Sequence, residues 1–169
     1  MVRHAGFGGG CHWCTEAVFS SPEGVRSVQQ GWIASVGDNA TLSEGILLEY
    51  DDAIISFATL IAIHLFTHGS TSQHSMRDRY RSAIYTFDDE DALLARGAIA
   101  ILQPEFDAPI ITQVLPYKEF TPSREELRDY YFSNPQKPFC ALYISPKLRL
   151  IQDRFSKVAD PDKLRHLNK

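Results

Sequence analysis

Three consecutive glycines, Gly8-Gly9-Gly10, run directly into Cys11-His12-Trp13-Cys14, and this junction limits the chain's local structure more than any other stretch. Regular structure does not pass through three glycines, because glycine samples backbone conformations closed to other residues. Val2 to Phe7 before them suits a short strand, and Cys11 to Phe19 after them reads as a helix whose apolar part is Ala17, Val18 and Phe19. A strand that breaks at glycines and resumes as a helix sets Cys11 at a helix N-terminus. That end carries about half a positive charge and unpaired N–H groups. Both favour the thiolate, which is the nucleophilic form of cysteine. Glu16 lies five residues on in the same helix. A carboxyl group held near a thiol in an apolar pocket can stay protonated and serve as an acid.

The same residues admit other chemistry. Cys11 and Glu16 could be a small buried residue and an ordinary first-turn acid, and Trp13 could belong to the core. Cys11-His12-Trp13-Cys14 is also a C-x-x-C, the spacing of a redox dithiol. Cys11, His12 and Cys14, with His68 or His74, could ligate a metal, but no second tight ligand pair exists, so no metal is expected.

Composition narrows the class. The chain has 169 residues, 44% hydrophobic and 22% charged, which fits one domain with a real core and excludes a disordered chain or a coiled coil. A net charge of -4 and a pI near 5.8 argue against nucleic acid as the partner. The longest apolar stretch, Ile54 to Phe66, is broken by Ser56, Thr59 and His64 and falls short of the roughly 18 residues a membrane helix needs. Met1 to Phe7 has no apolar signal core, and three cysteines, an odd number, do not suit a disulfide-framed secreted domain. The expectation is a cytoplasmic protein.

Strands are expected at Val25 to Ser35, Gly45 to Tyr50, Ser82 to Phe87 and Ala108 to Leu115. Helices are expected at Ile54 to His68, from the acids Asp88 to Asp91 to about Leu102, from Pro122-Ser123 through Phe132, and after Ser145-Pro146. Phe139 to Ile144 is short and apolar. Strands and helices mix without strict alternation, which points to an α+β chain or an α/β sandwich rather than a doubly wound sheet.

Four groups of residues, in order, carry a resemblance. The first is Gly10-Cys11-His12-Trp13-Cys14-Thr15-Glu16, continued by Ala17-Val18-Phe19, Gly24-Val25 and Gly31-Trp32. Leu42-Ser43-Glu44 with Leu48-Glu49-Tyr50-Asp51 is the second, and Tyr80-Arg81-Ser82-Ala83-Ile84-Tyr85 the third. The fourth joins Tyr130-Tyr131 and Asn134-Pro135 to Pro138-Phe139-Cys140 and Ile144-Ser145-Pro146-Lys147. Together they span about residues 5 to 158 and resemble the peptide methionine-S-sulfoxide reductases, the MsrA family.

The resemblance implies an α+β fold, a two-layer α/β sandwich of ferredoxin-like type with a mixed sheet. Residues 1–158 would form a single catalytic domain and 159–169 a flexible tail. It implies that Cys11 attacks the sulfoxide sulfur, with Glu16, Glu44 and Tyr80 serving the departing oxygen and His12, Trp13 and Trp32 holding the substrate. The resulting sulfenic acid would condense with Cys14, Cys140 or an external thiol, and thioredoxin would reopen the disulfide. No bound cofactor is implied, and the chain is expected to be a monomer.

The chain also departs from the family pattern. His12 replaces a Phe, Trp32 a Tyr, and Leu42-Ser43-Glu44 an H-A-E. His74 to Tyr80 stands where the family reads N-D-x-G-T-Q-Y, and Arg124 to Arg128 where it reads E-D-x-H-Q. These departures keep two other functions in view: a non-catalytic member that binds methionine or its sulfoxide, and a C-x-x-C dithiol oxidoreductase.

Overall fold

The computed structural model describes residues 1–123 and 130–168. Strand β1 (Val2–Gly8), helix α1 (His12–Ser20), strands β2 (Val25–Ala34) and β3 (Ser43–Asp51), helix α2 (Phe57–Thr67) and strand β4 (Ala83–Thr86) follow in sequence. In space β1 and β3 are central, with β4 beside β1 and β2 beside β3, all antiparallel. This is the β-α-β-β-α-β connectivity of the ferredoxin-like arrangement. Helix α3 (Asp89–Leu102) then crosses back to β5 (Gln113–Pro116), which lies parallel to β4, as a parallel neighbour reached by a crossover must. Strand β6 (Glu119–Pro122) closes the other edge against β2, so the six-stranded sheet is mixed, in the order β5-β4-β1-β3-β2-β6.

Register explains the two layers. Phe7 pairs with Ile46 on one side and Ile84 on the other, so the three side chains share the face that meets the helices. Phe7 stacks on Phe19 of α1 with ring centroids 4.5 Å apart, and Leu60, Ile61 and Leu65 of α2 are fully buried beside them. Each such side chain contributes about 1.5–3 kcal/mol by leaving water. On the opposite face a second, smaller cluster of Ile33, Ala83 and Tyr85 is roofed by Leu115, Tyr117 and Phe120. Helix α3 starts at the acids as expected, Asp88 Oδ1 accepting from the Asp91 N–H at 2.7 Å, whereas α2 starts at Phe57 rather than Ile54 because Ser56 Oγ caps it by accepting from the Thr59 N–H at 3.1 Å.

The other differences from the expected elements lie in the second half. The strand expected from Ala108 begins only at Gln113, because Ile110 and Ile111 give their N–H groups to Gln103 Oε1 and the Ser70 carbonyl. Strand β6 was not expected; it is four residues long and ends in proline. The helix expected from Pro122-Ser123 falls largely on 124–129, outside the described residues, and α4 (Tyr130–Ser133) is the described part. Residues Cys140–Ile144 form one wide π turn that leads into α5 (Ser145–Arg154). Pro146 has no N–H to give the preceding turn and would crowd its carbonyl, and a widened turn relieves both. The end of the chain packs against the domain. After the bridge between Pro22 and Ala159, α6 (Pro161–Leu164) buries Leu164, which is 1% exposed. Among the described residues no helix is long and apolar enough to cross a membrane.

Candidate active site

The glycine junction delivers Cys11 where the sequence placed it. Cys11 is the N-cap of α1, with ψ 134°, and its carbonyl accepts from the Thr15 N–H at 3.1 Å. Gly9 takes φ +149°, and a Cβ there would lie 2.4 Å from Cδ2 of His68. The loop is pinned from behind. Arg77 donates to the carbonyls of Gly9 (2.7 Å), Tyr80 (2.8 Å), Gly69 (2.5 Å) and Ser72 (2.9 Å). His64 Nε2 donates to the Gly8 carbonyl at 2.7 Å.

A second junction supplies the rest of the site. Trp32 of β2 and Glu44 of β3 are directly opposite in register and share one face of the sheet. The start of β3 is tied to the segment before β4: the Glu44 N–H and Ser43 Oγ both donate to the Arg79 carbonyl at 2.8 Å. Tyr80 follows immediately.

These elements enclose a cavity of about 380 Å³, within the size range of small-molecule pockets. Cys11, His12, Trp13, Trp32, Glu44 and Tyr80 line it, all of them singled out by the sequence. Arg79 and Phe139 line it as well, and neither was given a role at the site by the sequence. Phe139 meets Trp13 edge-on at 5.8 Å, and Trp32 meets His12 edge-on at 5.4 Å, so the walls are aromatic.

Three candidates lie elsewhere. Glu16 is buried, and its Oε1 accepts from Gln30 Nε2 at 2.9 Å, on the sheet side of α1. Cys140 is fully buried in the π turn. Cys14 lies behind Cys11 and lines a small cleft with His64, His68 and Lys147. All three cysteines are free thiols. Among the described residues no cluster suits a metal ion. His68 bonds to Ser82 Oγ and to the His64 carbonyl, and His74 accepts from the Met76 N–H.

The electrostatics favour a thiolate. The Cys14 thiol donating to Cys11 lowers the Cys11 pKa most, and the N–H groups of Trp13 and Cys14 at the helix start add to this. Burial and the nearby Glu44 oppose it without reversing it. The same thiol pair, with burial, pushes Cys14 well above the ordinary range. Burial raises Tyr80, and the neighbouring Glu44 adds to the rise, so its hydroxyl stays a proton donor.

Glu44, 3% exposed, holds the centre. Its Oε1 accepts from the His12 N–H at 3.2 Å and faces His12 Nε2 at 3.6 Å, while its Oε2 accepts from Arg79 Nε at 2.6 Å. His12 Nδ1 faces the Gly31 carbonyl at 3.2 Å. A carbonyl can only accept, so Nδ1 carries the proton and Nε2 is the nitrogen turned to Glu44. The site thus offers a nucleophilic sulfur, a carboxyl and a phenol able to serve a developing oxyanion, and an aromatic wall for an apolar group.

Comparison with known proteins agrees with this geometry. The model of the family described as peptide methionine sulfoxide reductase matches residues 3–159. A peptide methionine sulfoxide reductase MsrA of Chromobacterium violaceum is 37% identical, over 92% of this chain and 97% of its own. The MsrA of Pasteurella multocida is 34% identical, over 94% and 99%. Among solved structures, Mxr1 of Saccharomyces cerevisiae in its reduced form superposes with a TM-score of 0.71 at 20% identity, covering 82% of this chain and 89% of Mxr1. The same yeast protein is also known in complex with Trx2, at a TM-score of 0.61 and 18% identity over 74% and 83%. On the sequence matches, this chain belongs to the peptide methionine sulfoxide reductase family.

Proposed function

We propose that this chain reduces methionine-S-sulfoxide to methionine, with Cys11 as nucleophile. The Cys11 thiolate attacks the sulfoxide sulfur. The oxygen takes one proton, delivered by Glu44 while the Tyr80 hydroxyl hydrogen-bonds to it, and ends on Cys11 as a sulfenic acid as the methionine thioether leaves. Trp13 and Trp32 hold the substrate's apolar end, and His12 flanks it beside Glu44. A second thiol then attacks the sulfenic sulfur, a disulfide forms and water departs. Cys14 is the resolving thiol that the site favours, because it lies close enough to Cys11 to lower its pKa and residues three apart at a helix start lie on one face. A dithiol reductant restores both thiols by exchange. Cytoplasmic thioredoxin suits that role, with the yeast complex as support.

The observation that carries this reading is Cys11 at the start of α1, facing Glu44 and Tyr80 across one aromatic cavity. The test mixes the chain with thioredoxin, thioredoxin reductase, NADPH and the separate S and R epimers of an N-blocked methionine sulfoxide. Oxidation of NADPH with the S epimer alone, abolished by Cys11→Ser, is expected. No turnover of either epimer, with thioredoxin or with a small dithiol, would leave only a binding role, and turnover of insulin disulfides instead would favour the dithiol oxidoreductase.

A further inference from the structure

Arg79 is the one permanent cation that lines the Cys11 cavity among the described residues, and its side chain is 64% exposed at the rim. Its Nε is spent on Glu44 Oε2 at 2.6 Å, and its guanidinium lies over the Tyr80 ring at 5.3 Å from the centroid. Those two contacts fix the plane of the guanidinium. The terminal nitrogens Nη1 and Nη2 make no hydrogen bond among the described residues, so four of the five N–H donors remain unused. Glu44, whose Oε2 accepts from Arg79, is 3% exposed beneath it, so the rim presents the guanidinium rather than the carboxyl group. Elsewhere the lining is aromatic, thiol or phenol. Planar, bidentate donors of this kind match a carboxylate.

We infer that Arg79 determines specificity by binding a carboxylate of the substrate close to the sulfoxide. The inference rests on the sulfoxide reductase reading and names the substrate class within it. The carboxylate has two sources: the α-carboxylate of free or C-terminal methionine sulfoxide, or the side chain of an aspartate or glutamate next to it in a peptide. A charge-assisted hydrogen bond at an exposed rim lies at the weak end of its range, which corresponds to about a tenfold preference.

The test compares kcat/KM, with dithiothreitol as reductant, for four single-epimer substrates. These are N-acetyl-methionine-S-sulfoxide with its free carboxylate, its carboxamide, and N-acetyl-methionine-S-sulfoxide extended by aspartate amide or by asparagine amide. The free acid is expected to exceed the carboxamide about tenfold. That ratio falls to about one in Arg79→Gln and is largely kept in Arg79→Lys. Because both substrates use the same Glu44, a loss of Glu44 positioning alone lowers both rates and leaves the ratio in place. An aspartate-over-asparagine preference that vanishes in Arg79→Gln assigns the carboxylate to a neighbouring residue, and its absence assigns it to the chain terminus. Equal rates for acid and carboxamide, or a ratio unchanged in Arg79→Gln, overturn the inference. If no sulfoxide turns over, the reductase reading fails separately. Quenching of Trp13 and Trp32, the only two tryptophans, by N-acetylmethionine and its amide in Cys11→Ser then reads the same preference, and equal affinities overturn it.

Discussion

Gln30 Nε2 donates to Glu16 Oε1 at 2.9 Å, and this bond holds the Glu16 carboxyl on the sheet side of α1 while Glu44 occupies the cavity. Two carboxylates that the sequence could not rank are thereby separated. Glu16→Ala removes a buried hydrogen bond, for a loss of about 2 kcal/mol and a fall in melting temperature of about 4–8 °C. Its kcat/KM stays within about threefold of the parent, as for a side chain away from the reacting atoms. Glu44→Gln is expected to cut kcat by about 10²–10⁴ while the fold holds. Melting curves and steady-state rates on the two variants check this. A collapse of kcat in Glu16→Ala with unchanged melting would return Glu16 to the catalytic set.

Cys14 supports the Cys11 thiolate before any turnover, because its thiol is the largest single cause of the lowered Cys11 pKa. The rate of Cys11 alkylation by iodoacetamide rises as pH passes through that pKa, since only the thiolate reacts. Cys14→Ala removes the donor, so its profile moves to higher pH than the parent's. Cys14→Ser keeps an O–H donor and lies between the two. Coincident profiles for all three would show that the helix N–H groups suffice without Cys14. In the reductase assay both variants stop after a single turnover with thioredoxin if Cys14 resolves, and neither does if Cys140 can take its place.

The first half of the fold was legible because local signals and tertiary pairing agree there. The glycine break after β1, the β-rich run from Val25, the apolar Ile46-Leu47-Leu48 of β3 and the Asp88–Asp91 helix start each name their own element. Strand β6 was invisible because four residues bounded by proline carry no periodicity; it forms where Gly31 lets the edge approach, a Cβ there lying 2.1 Å from the Thr121 carbonyl oxygen. The Cys140–Ile144 turn was unreadable for a related reason, since an apolar run of five residues fits a strand or a helix equally. At the site, the placement of Cys11 at a helix start beside His12 and Trp13 was plain from the glycine junction. Arg79 was missed because an arginine in a polar loop looks like any solvated charge until β3 draws that loop over the cavity.

Gly9 is the backbone position on which this geometry depends most narrowly. Its φ of +149° is closed to other residues, and the His68 ring occupies the space of a side chain. Gly9→Ala therefore combines strain with overlap and is expected to cost about 2–4 kcal/mol. Gly10 meets nothing within 4 Å of its missing Cβ, so Gly10→Ala serves as the control, with a loss below about 1 kcal/mol. Urea unfolding of the pair measures the difference, and equal midpoints would mean that His68 gives way.

The histidines behind that loop set the acid limit of stability. His68 donates from Nδ1 to the His64 carbonyl, so Nε2 accepts from Ser82 Oγ, which in turn takes the Thr112 hydroxyl. This direction belongs to neutral His68; on protonation Ser82 Oγ would have to accept from Nε2 and turn its own hydrogen to Thr112. Burial lowers its pKa to about 4, with Lys147 and Arg77 adding to the drop, and burial lowers His64 further below the ordinary 6.5. The unfolded chain takes up these protons below about pH 6.5, whereas the folded chain resists until about pH 4. Stability is therefore full above pH 6.5 and falls as pH drops towards 4, where the His68 share is exhausted. His68→Gln removes that share and flattens the acid limb without abolishing it, because His64 still titrates. Urea midpoints measured between pH 4 and 7 read this directly. A parent curve with no acid limb over that range would mean that both imidazoles meet the proton equally well folded and unfolded.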